Sequence, residues 1–410
     1  MSQPRVLLVG YNGANNTGAE ALLTSDIEDV RAVLGPEVQL TIPTINEANL
    51  RRYVKNGAAR IVPWPSTVFP ALPSLVRQNN LILLVEGSTY MDTWTSVMLW
   101  VYLATTSLAH SMGKPCLAYA VDAGEIRSAL NRRLVRGQAS KTDLIITRAH
   151  SAAERLRSFG VTAPIEVTAD NAFNFRPDPG DEGWVQRTWS QAASGLVGLA
   201  VVNFYLWPVV IRPWGHKEHC YKWPFYHTHS PERDRAIEAL ADGYASLADC
   251  VVKEHDKCVA LICMEQLDEP LARKVHQRMH HADRARVFSS AEYNASRMTM
   301  LLRSLDVLLT SRYHACVLSM AAHVPQVAIG HDLRLKTIYT ELGLKEQYFV
   351  DPDPSVLCQE LKARMEVLLT NPGLQKEPLQ RGYSEHLAQA KRNRELLRNF
   401  VAAHGWEPVG

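Results

Sequence analysis

The stretch Leu305–Lys336, LDVLLTSRYHACVLSMAAHVPQVAIGHDLRLK, decides the fold. Val307-Leu308-Leu309 is an apolar run, the pattern of a strand buried on both faces. It stops at Thr310-Ser311, and Arg312 and His314 follow directly. Ala315 to Ala322 is apolar and of helical length. Gln326 to Ile329 is a second buried strand, and it delivers His331, Asp332, Arg334 and Lys336. Strand, helix and strand in this order predict a parallel βαβ unit. In open α/β sheets ligands bind in the crevice beyond the carboxyl ends of the strands. Two strands that each end in cations and an imidazole therefore predict a pocket for an anion, with a proton donor beside it.

The same alternation extends in both directions. Upstream, strands are predicted over Arg5 to Val9, Val38 to Ile42, Leu81 to Val85, Pro115 to Ala120 and Leu144 to Thr147. Between them lie predicted helices over Ala19 to Val33, through His110, and over Arg127 to Ala139, the last basic and amphipathic. Phe175 to Gly183 is dense in turn residues and charge, and reads as a domain boundary. Beyond it strands at Leu196 to Val202 and Cys258 to Cys263 alternate with helices at Arg233 to Lys253, Glu269 to His281 and Met298 to Arg303. The expectation is an α/β protein of two domains with parallel sheets, residues 1–176 and 184–372, facing a cleft, followed by a C-terminal helix over 376–403.

Composition narrows the function. Lys plus Arg nearly equals Asp plus Glu, leaving a net charge of +2. This gives no support for a nucleic-acid-binding or membrane-surface protein and makes any electropositive site local. The 7 cysteines are scattered and include no Cys-x-x-Cys pair, which fits a reduced, cytoplasmic setting better than a disulfide framework or a zinc ribbon. The N-terminal apolar run is too short for a signal-peptide core. No uncharged stretch has the length of a membrane span, and Val97 to Ala109 reads as a buried helix.

Further candidates sit at strand ends. Gly10 to Glu20 (GYNGANNTGAE) links a strand to a helix, where glycines permit close approach and the helix N-terminus offers unpaired N–H groups. It is not the dinucleotide pattern. Asn16, Gly18 and Glu20 are candidates there. Glu86, Ser88 and Asp92 lie in the turn after Leu81 to Val85, Arg148 ends a strand, and Asp170 closes the first domain. A lone carboxylate or arginine at such a place is more often a cap or an ion-pair partner; convergence is what gives them weight. Asn203 to His229 is a long connection rich in Trp, Tyr and His. It reads either as a stacking platform for a sugar or as a self-packed insertion. Its histidines have no diagnostic ligand spacing, and no metal is expected.

Taken in order, these pieces resemble the polysaccharide pyruvyl transferase family. Gly10 to Leu23 is similar to the family's "GYxGxxNxGxEAxL" opening, and Gly87-Ser88 with Asp92 to the end of its "GGGSLLQD" loop. Thr168 to Phe173 is similar to "TADPAF", Ser311 to Ala315 to "MRLHA" in its Arg-x-His pair, and Gly330 to Leu335 falls on "SYDPKV". The chain departs from the pattern at Ala19, Val85, Glu86 and Ala149, and Ala120 to Glu125 stands in place of "GQGIGP". The resemblance implies a fold of two Rossmann-like domains, like the GT-B glycosyltransferases, with phosphoenolpyruvate as donor and co-substrate and no cofactor. A sugar or lipid-linked glycan would be the acceptor and a cyclic pyruvate ketal the product. It implies His314 as general acid and Arg148, Arg312, Arg334 and Lys336 as donor-binding residues. Asn16, Gly18, Glu20, Glu86, Ser88, Asp92 and Asp170 would fall on the acceptor side. Glycosyl transfer from a nucleotide sugar, or glycan binding without catalysis, stay open as alternatives. So do a location at the inner membrane face and a homo-oligomer.

Overall fold

The computed structural model describes residues 4–54, 57–64, 68–93, 95–206, 209–214, 225–227, 230–330, 332–353 and 356–409. His331, and within the aromatic connection Trp207, His216, His219, Tyr221, Trp223 and His229, lie outside these described residues.

Two parallel sheets organise the chain. The first contains β1 (Arg5–Val9), β2 (Gln39–Thr44), β3 (Arg60–Pro63), β4 (Leu81–Leu84), β5 (Cys116–Val121), β6 (Leu144–Thr147) and β7 (Ile165–Val167), in the order β3-β2-β1-β4-β5-β6-β7. The second contains β8 (Leu196–Ala200), then, past a separate antiparallel pair β9 (Val209–Ile211) and β10 (Phe225–His227), β11 (Cys258–Cys263), β12 (Ala285–Ser289), β13 (Val307–Thr310), β14 (Gln326–Ile329) and β15 (Phe349–Val350). Its order is β12-β11-β8-β13-β14-β15. Each sheet reverses its winding once, between β1 and β4 in the first and between β8 and β13 in the second. Both switch points are natural ligand crevices.

Burial explains the continuous apolar runs. Val6 to Val9, Leu81 to Leu84 and Val307 to Leu309 are all buried, because helices cover both sheet faces. The core of the second sheet continues across the seam, taking in Ala21 and Leu22 of helix Thr17–Leu34 and Phe173 after β7. The C-terminal helix Lys376–Ala403 starts on the second sheet, through Leu379 and Ala390. It ends on the first, where Leu397, Phe400 and Val401 are buried. Asn393 on that helix receives the Thr168 hydroxyl at 2.5 Å and donates to the Ala169 carbonyl at 3.1 Å. Among the described residues no helix is long and apolar enough to cross a membrane.

The short strands β3, β7, β12 and β15 and the β9–β10 pair are not evident in the sequence pattern. These strands have two to five residues, and β3 and β7 are only partly buried, so hydrophobic periodicity has little to register.

Candidate functional site

The loops at the two switch points meet at His314. After β13 the Thr310 hydroxyl accepts from the Arg312 N–H at 2.9 Å and donates to the Arg312 carbonyl at 3.1 Å, which turns the chain directly into helix Tyr313–Ser319. His314 sits in the first turn of that helix and faces the first domain. Gly18, in the first turn of helix Thr17–Leu34, lies flat against it: a Cβ at Gly18 would be 2.0 Å from His314 Nδ1. The other ring nitrogen, Nε2, is 3.5 Å from Asp170 Oδ2 and has no closer partner. Burial works against a charge on Asp170, yet Arg148 and His314 beside it hold its carboxyl well below the ordinary carboxylate range.

Arg148, just past β6, is the other buried centre. Its Nε donates to Asp122 at 3.0 Å and its Nη1 to Asp170, while Nη2 is buried with no partner. Gly87 makes room for it, since a Cβ there would be 2.5 Å from Nη1. Asp122 reaches Arg148 because β5 ends irregularly: its register against β6 shifts between Ala118 and Val121, and Ala120 has a φ of 51°. The guanidinium of Arg148 lies 4.7 Å from the centre of the Tyr313 ring, and that of Arg334 lies 5.5 Å from the same ring. Arg334 is chelated by Asp332, with Nε 2.9 and 2.8 Å from the two carboxylate oxygens. Arg312 grips Asp268 with two nitrogens and lies 3.2 Å from Glu265. Burial raises the Asp268 carboxyl to about 6 despite the opposing pull of Arg312.

Beside this cluster a cleft of about 320 Å³ opens between the domains. Asp122, Arg127, Arg148 and Arg155 line it from the first domain, Tyr313, Arg334, Lys336 and Glu341 from the second, and His386 from the C-terminal helix. Of the residues nominated from sequence, Arg148, Arg334 and Lys336 reach this lining. His314, Gly18 and Asp170 come together next to it, in the seam. Arg312 faces Asp268 and Glu265 instead.

The remaining nominated residues are occupied in other ways. The Asn16 side chain caps helix Thr17–Leu34, accepting from Ala19 N at 3.1 Å. Glu20 is buried at the seam and accepts from Ala295 N, the first residue of helix Ala295–Arg303, at 2.9 Å. Glu86 accepts from Tyr11 N at 3.0 Å and from the Ser88 N–H and hydroxyl at 3.2 and 3.0 Å, so Glu86 and Ser88 bind each other and their own loops. Asp92 accepts from Arg127 N, Ser128 N and Asn131 Nδ2, fixing the entry to helix Ala129–Ala139. The Gly10-to-Glu20 segment is largely a docking element. Thr17 N donates to the Met264 carbonyl at 2.8 Å, and the Asn15 carbonyl accepts from Gln266 N and from the Ser290 hydroxyl. Asp122, Asp268 and Glu265 were not nominated. All three follow parallel strands, so the strand-end rule that selected Arg148 also points to them. In the aromatic connection, Trp214 is 76% exposed and His227 is buried, its Nδ1 3.0 Å from the Leu206 carbonyl.

This arrangement matches a known sequence pattern. The polysaccharide pyruvyl transferase profile aligns with residues 16–332, from the cap of the first helix to the end of β14's loop. The chain belongs to that family. Among curated proteins none matches it in sequence. Solved structures show how widely the architecture is shared. Anabaena HepE, crystallised in complex with UDP-glucose, superposes with a TM-score of 0.60 at 12% identity, covering 98% of this chain and 100% of its own. The UDP-GlcNAc 2-epimerase of Neisseria meningitidis bound to UDP-GlcNAc gives 0.60 at 9% identity over 97% and 100%. That of Methanocaldococcus jannaschii gives 0.61 at 10% over 96% and 99%. At such identities the likeness is one of fold: two Rossmann-like domains in the GT-B arrangement, as the family resemblance implies.

Proposed function

We propose that this family member transfers the pyruvyl group of phosphoenolpyruvate to two hydroxyls of a sugar in a cell-surface polysaccharide or its precursor, forming a cyclic ketal. The observation that supports it most is His314 wedged between Gly18 and an ionised Asp170, next to a cleft lined by Arg148, whose Nη2 is buried and unpartnered. Asp170 Oδ2, 3.5 Å from Nε2, and Gly18, against Nδ1, fix where the ring of a proton donor would stand. Protonating the donor's methylene carbon leaves an oxocarbenium-like centre, which a sugar hydroxyl attacks. The second hydroxyl then closes the ring as phosphate departs, and the two hydroxyl protons balance the new methyl hydrogen and the phosphate.

The donor's charge needs cations, and three of the four nominated ones are neutralised. Arg148, Arg312 and Arg334 each face at least one carboxylate. Lys336 makes no ion pair among the described residues and lines the cleft. In this reading Lys336 and the Arg148 Nη2 atom take the donor's anionic groups, and Arg312 holds the C-terminal domain loop from which His314 is presented.

The test has two arms. Thermal stabilisation by phosphoenolpyruvate is measured for wild type and Lys336→Ala; a ligand at 100 times its Kd stabilises by about 2.7 kcal/mol. Phosphate release with a panel of sugar acceptors is measured for wild type and His314→Ala. The expected outcome is a shift that Lys336→Ala diminishes and a release that His314→Ala abolishes. Stabilisation by a nucleotide sugar with no response to phosphoenolpyruvate would instead favour glycosyl transfer.

A further inference from the structure

Residues 125–160 contain eight Lys and Arg against three Asp and Glu, a surplus of five in a chain whose net charge is +2. Arg148 is buried in the site; the others lie at or near the surface. Five of them come from two neighbouring helices, Ala129–Ala139 and His150–Ser158, which follow successive parallel strands and pack on the same face of the first sheet, while Arg127 and Lys141 flank the first of these. Contact between the two segments is direct, because the Arg136 side chain lies over Gly160. Among the described residues Arg127, Arg132, Arg133, Arg136, Arg155 and Arg157 make no ion pair at all. Elsewhere on this surface ion pairing is common: Arg278, Arg284 and Arg381, for example, each have a carboxylate.

An uncompensated row of arginines raises the self-energy of the fold, so an external anion is the natural complement. Helix Ala129–Ala139 buries Asn131, Val135 and Ala139 and turns its arginines outward. Among them Leu130 is 61% exposed. A helix with cations and an exposed aliphatic side chain on its outer face has the character of an interfacial helix, in which the apolar group enters the acyl boundary and the cations meet headgroup phosphates. Arg127 and Arg155 belong both to this face and to the lining of the cleft, so the face abuts the cleft's mouth.

We infer that this face docks on a membrane surface of anionic phospholipid, holding the interdomain cleft at the headgroup level. The docking does not depend on pyruvyl transfer and is measured without substrates. If the transfer reading also holds, the arrangement delivers a lipid-linked sugar acceptor to the cleft.

The experiment is co-sedimentation of the full chain with vesicles of phosphatidylcholine, and with vesicles of phosphatidylcholine mixed with phosphatidylglycerol. Wild type is compared with Arg133→Gln/Arg136→Gln/Arg157→Gln and with Leu130→Ser; none of these side chains makes a hydrogen bond or ion pair among the described residues. Wild type should sediment with the anionic vesicles only, and lose this at high salt. The triple variant should lower the partition by about 100-fold, since each cation near an anionic surface contributes roughly a factor of five. Leu130→Ser should also lower it relative to wild type, at unchanged charge. Absence of wild-type binding to anionic vesicles, or binding that the triple variant retains, overturns the inference. So does capture of single-stranded RNA by wild type in conditions where vesicles are not bound, which would assign the face to nucleic acid. Thermal melts of the variants, expected at the wild-type temperature, separate lost docking from lost folding.

Discussion

Gly18→Ala is the sharpest probe of the seam. A methyl at that position would lie 2.0 Å from His314 Nδ1, 2.3 Å from Cγ and 2.8 Å from Cβ. Non-bonded heavy atoms prefer roughly 3.5–4 Å, so the imidazole must retreat by about 1.5 Å. Retreat is obstructed on the far side, where Asp170 Oδ2 stands 3.5 Å from Nε2 and is itself fixed by Arg148. Overpacking of this kind typically costs about 1–3 kcal/mol of stability. With His314 in the proposed role of proton donor the larger effect falls on catalysis, because a reacting group misplaced by about 1 Å loses on the order of 100-fold in rate. The assay is phosphate release from phosphoenolpyruvate with an acceptor that supports wild-type turnover, run beside thermal unfolding. Gly18→Ala should reduce kcat by about 100-fold at a melting temperature still above the assay temperature. In a His314→Ala background the same change should have no further effect on rate, although the 2.8 Å contact with the residual Cβ keeps part of the stability cost. Wild-type turnover by Gly18→Ala would refute the reasoning: the imidazole position that Gly18 enforces would then not be the one the reaction uses.

Other perturbations follow from the same geometry. Burial lifts Glu20 from its ordinary 4.5 to about 7, against the pull of Arg52 and the Ala295 N–H. The folded state therefore holds a proton more tightly than the unfolded chain, and Glu20's contribution is lost as pH rises from about 4.5 through about 7; at about 1.4 kcal/mol per pH unit this amounts to at most about 3.5 kcal/mol. Glu20→Gln keeps an acceptor for Ala295, so it should raise stability at pH above 7 and leave it unchanged at acid pH, as denaturant unfolding at several pH values will show. Arg312→Ala strands Asp268 and Glu265 in the interior and should cost about 3–5 kcal/mol in chemical denaturation, a loss that Asp268→Asn in the same chain partly restores. Ala120 holds a φ of 51°, where a side chain costs about 1–2 kcal/mol relative to the right-handed region. The added freedom of the unfolded chain offsets about 0.4–1 kcal/mol of this, so Ala120→Gly should raise the melting temperature slightly, and a lowered one would count against strain at this position.

Sequence was most informative where long-range structure repeats a local pattern. Buried parallel strands read as unbroken apolar runs, and β1, β6, β11 and β14 have the predicted bounds. Helix Thr17–Leu34 starts two residues before its predicted first residue, Ala19, because the Asn16 cap, unlike an apolar stripe, has no periodicity. The site was legible as a set of strand ends but not as a set of pairings. Which carboxylate faces which arginine depends on sheet register and on how the two domains dock. Arg148 meets Asp170 across 22 residues and Arg312 meets Asp268 across 44, separations at which sequence has no local signal. The glycine-rich opening illustrates the limit. Its residue types suit ligand binding and domain docking equally, and only the Thr17–Met264 and Asn15–Gln266 bonds reveal that much of it is spent on docking.

The pairing of buried arginines with carboxylates bears on how such a site works. A free guanidinium in a dry crevice is costly, and a buried charge is tolerated when a partner and hydrogen bonds compensate it. Asp122, Asp170, Asp268 and Asp332 perform that role and also hold Arg148, Arg312 and Arg334 in fixed orientations. The compensation is incomplete at one atom, Arg148 Nη2, which is buried, unpartnered and part of a residue lining the cleft. A substrate anion that reaches this atom adds a hydrogen bond without displacing an aspartate. An arginine with both carboxylates removed would bind anions more strongly but would also destabilise the empty protein. Replacing Asp122 with Asn tests this trade directly. It should tighten the binding of phosphoenolpyruvate while lowering the melting temperature of the ligand-free chain. A variant that loses stability with no gain in affinity would show that Arg148 serves the architecture of the seam rather than the ligand.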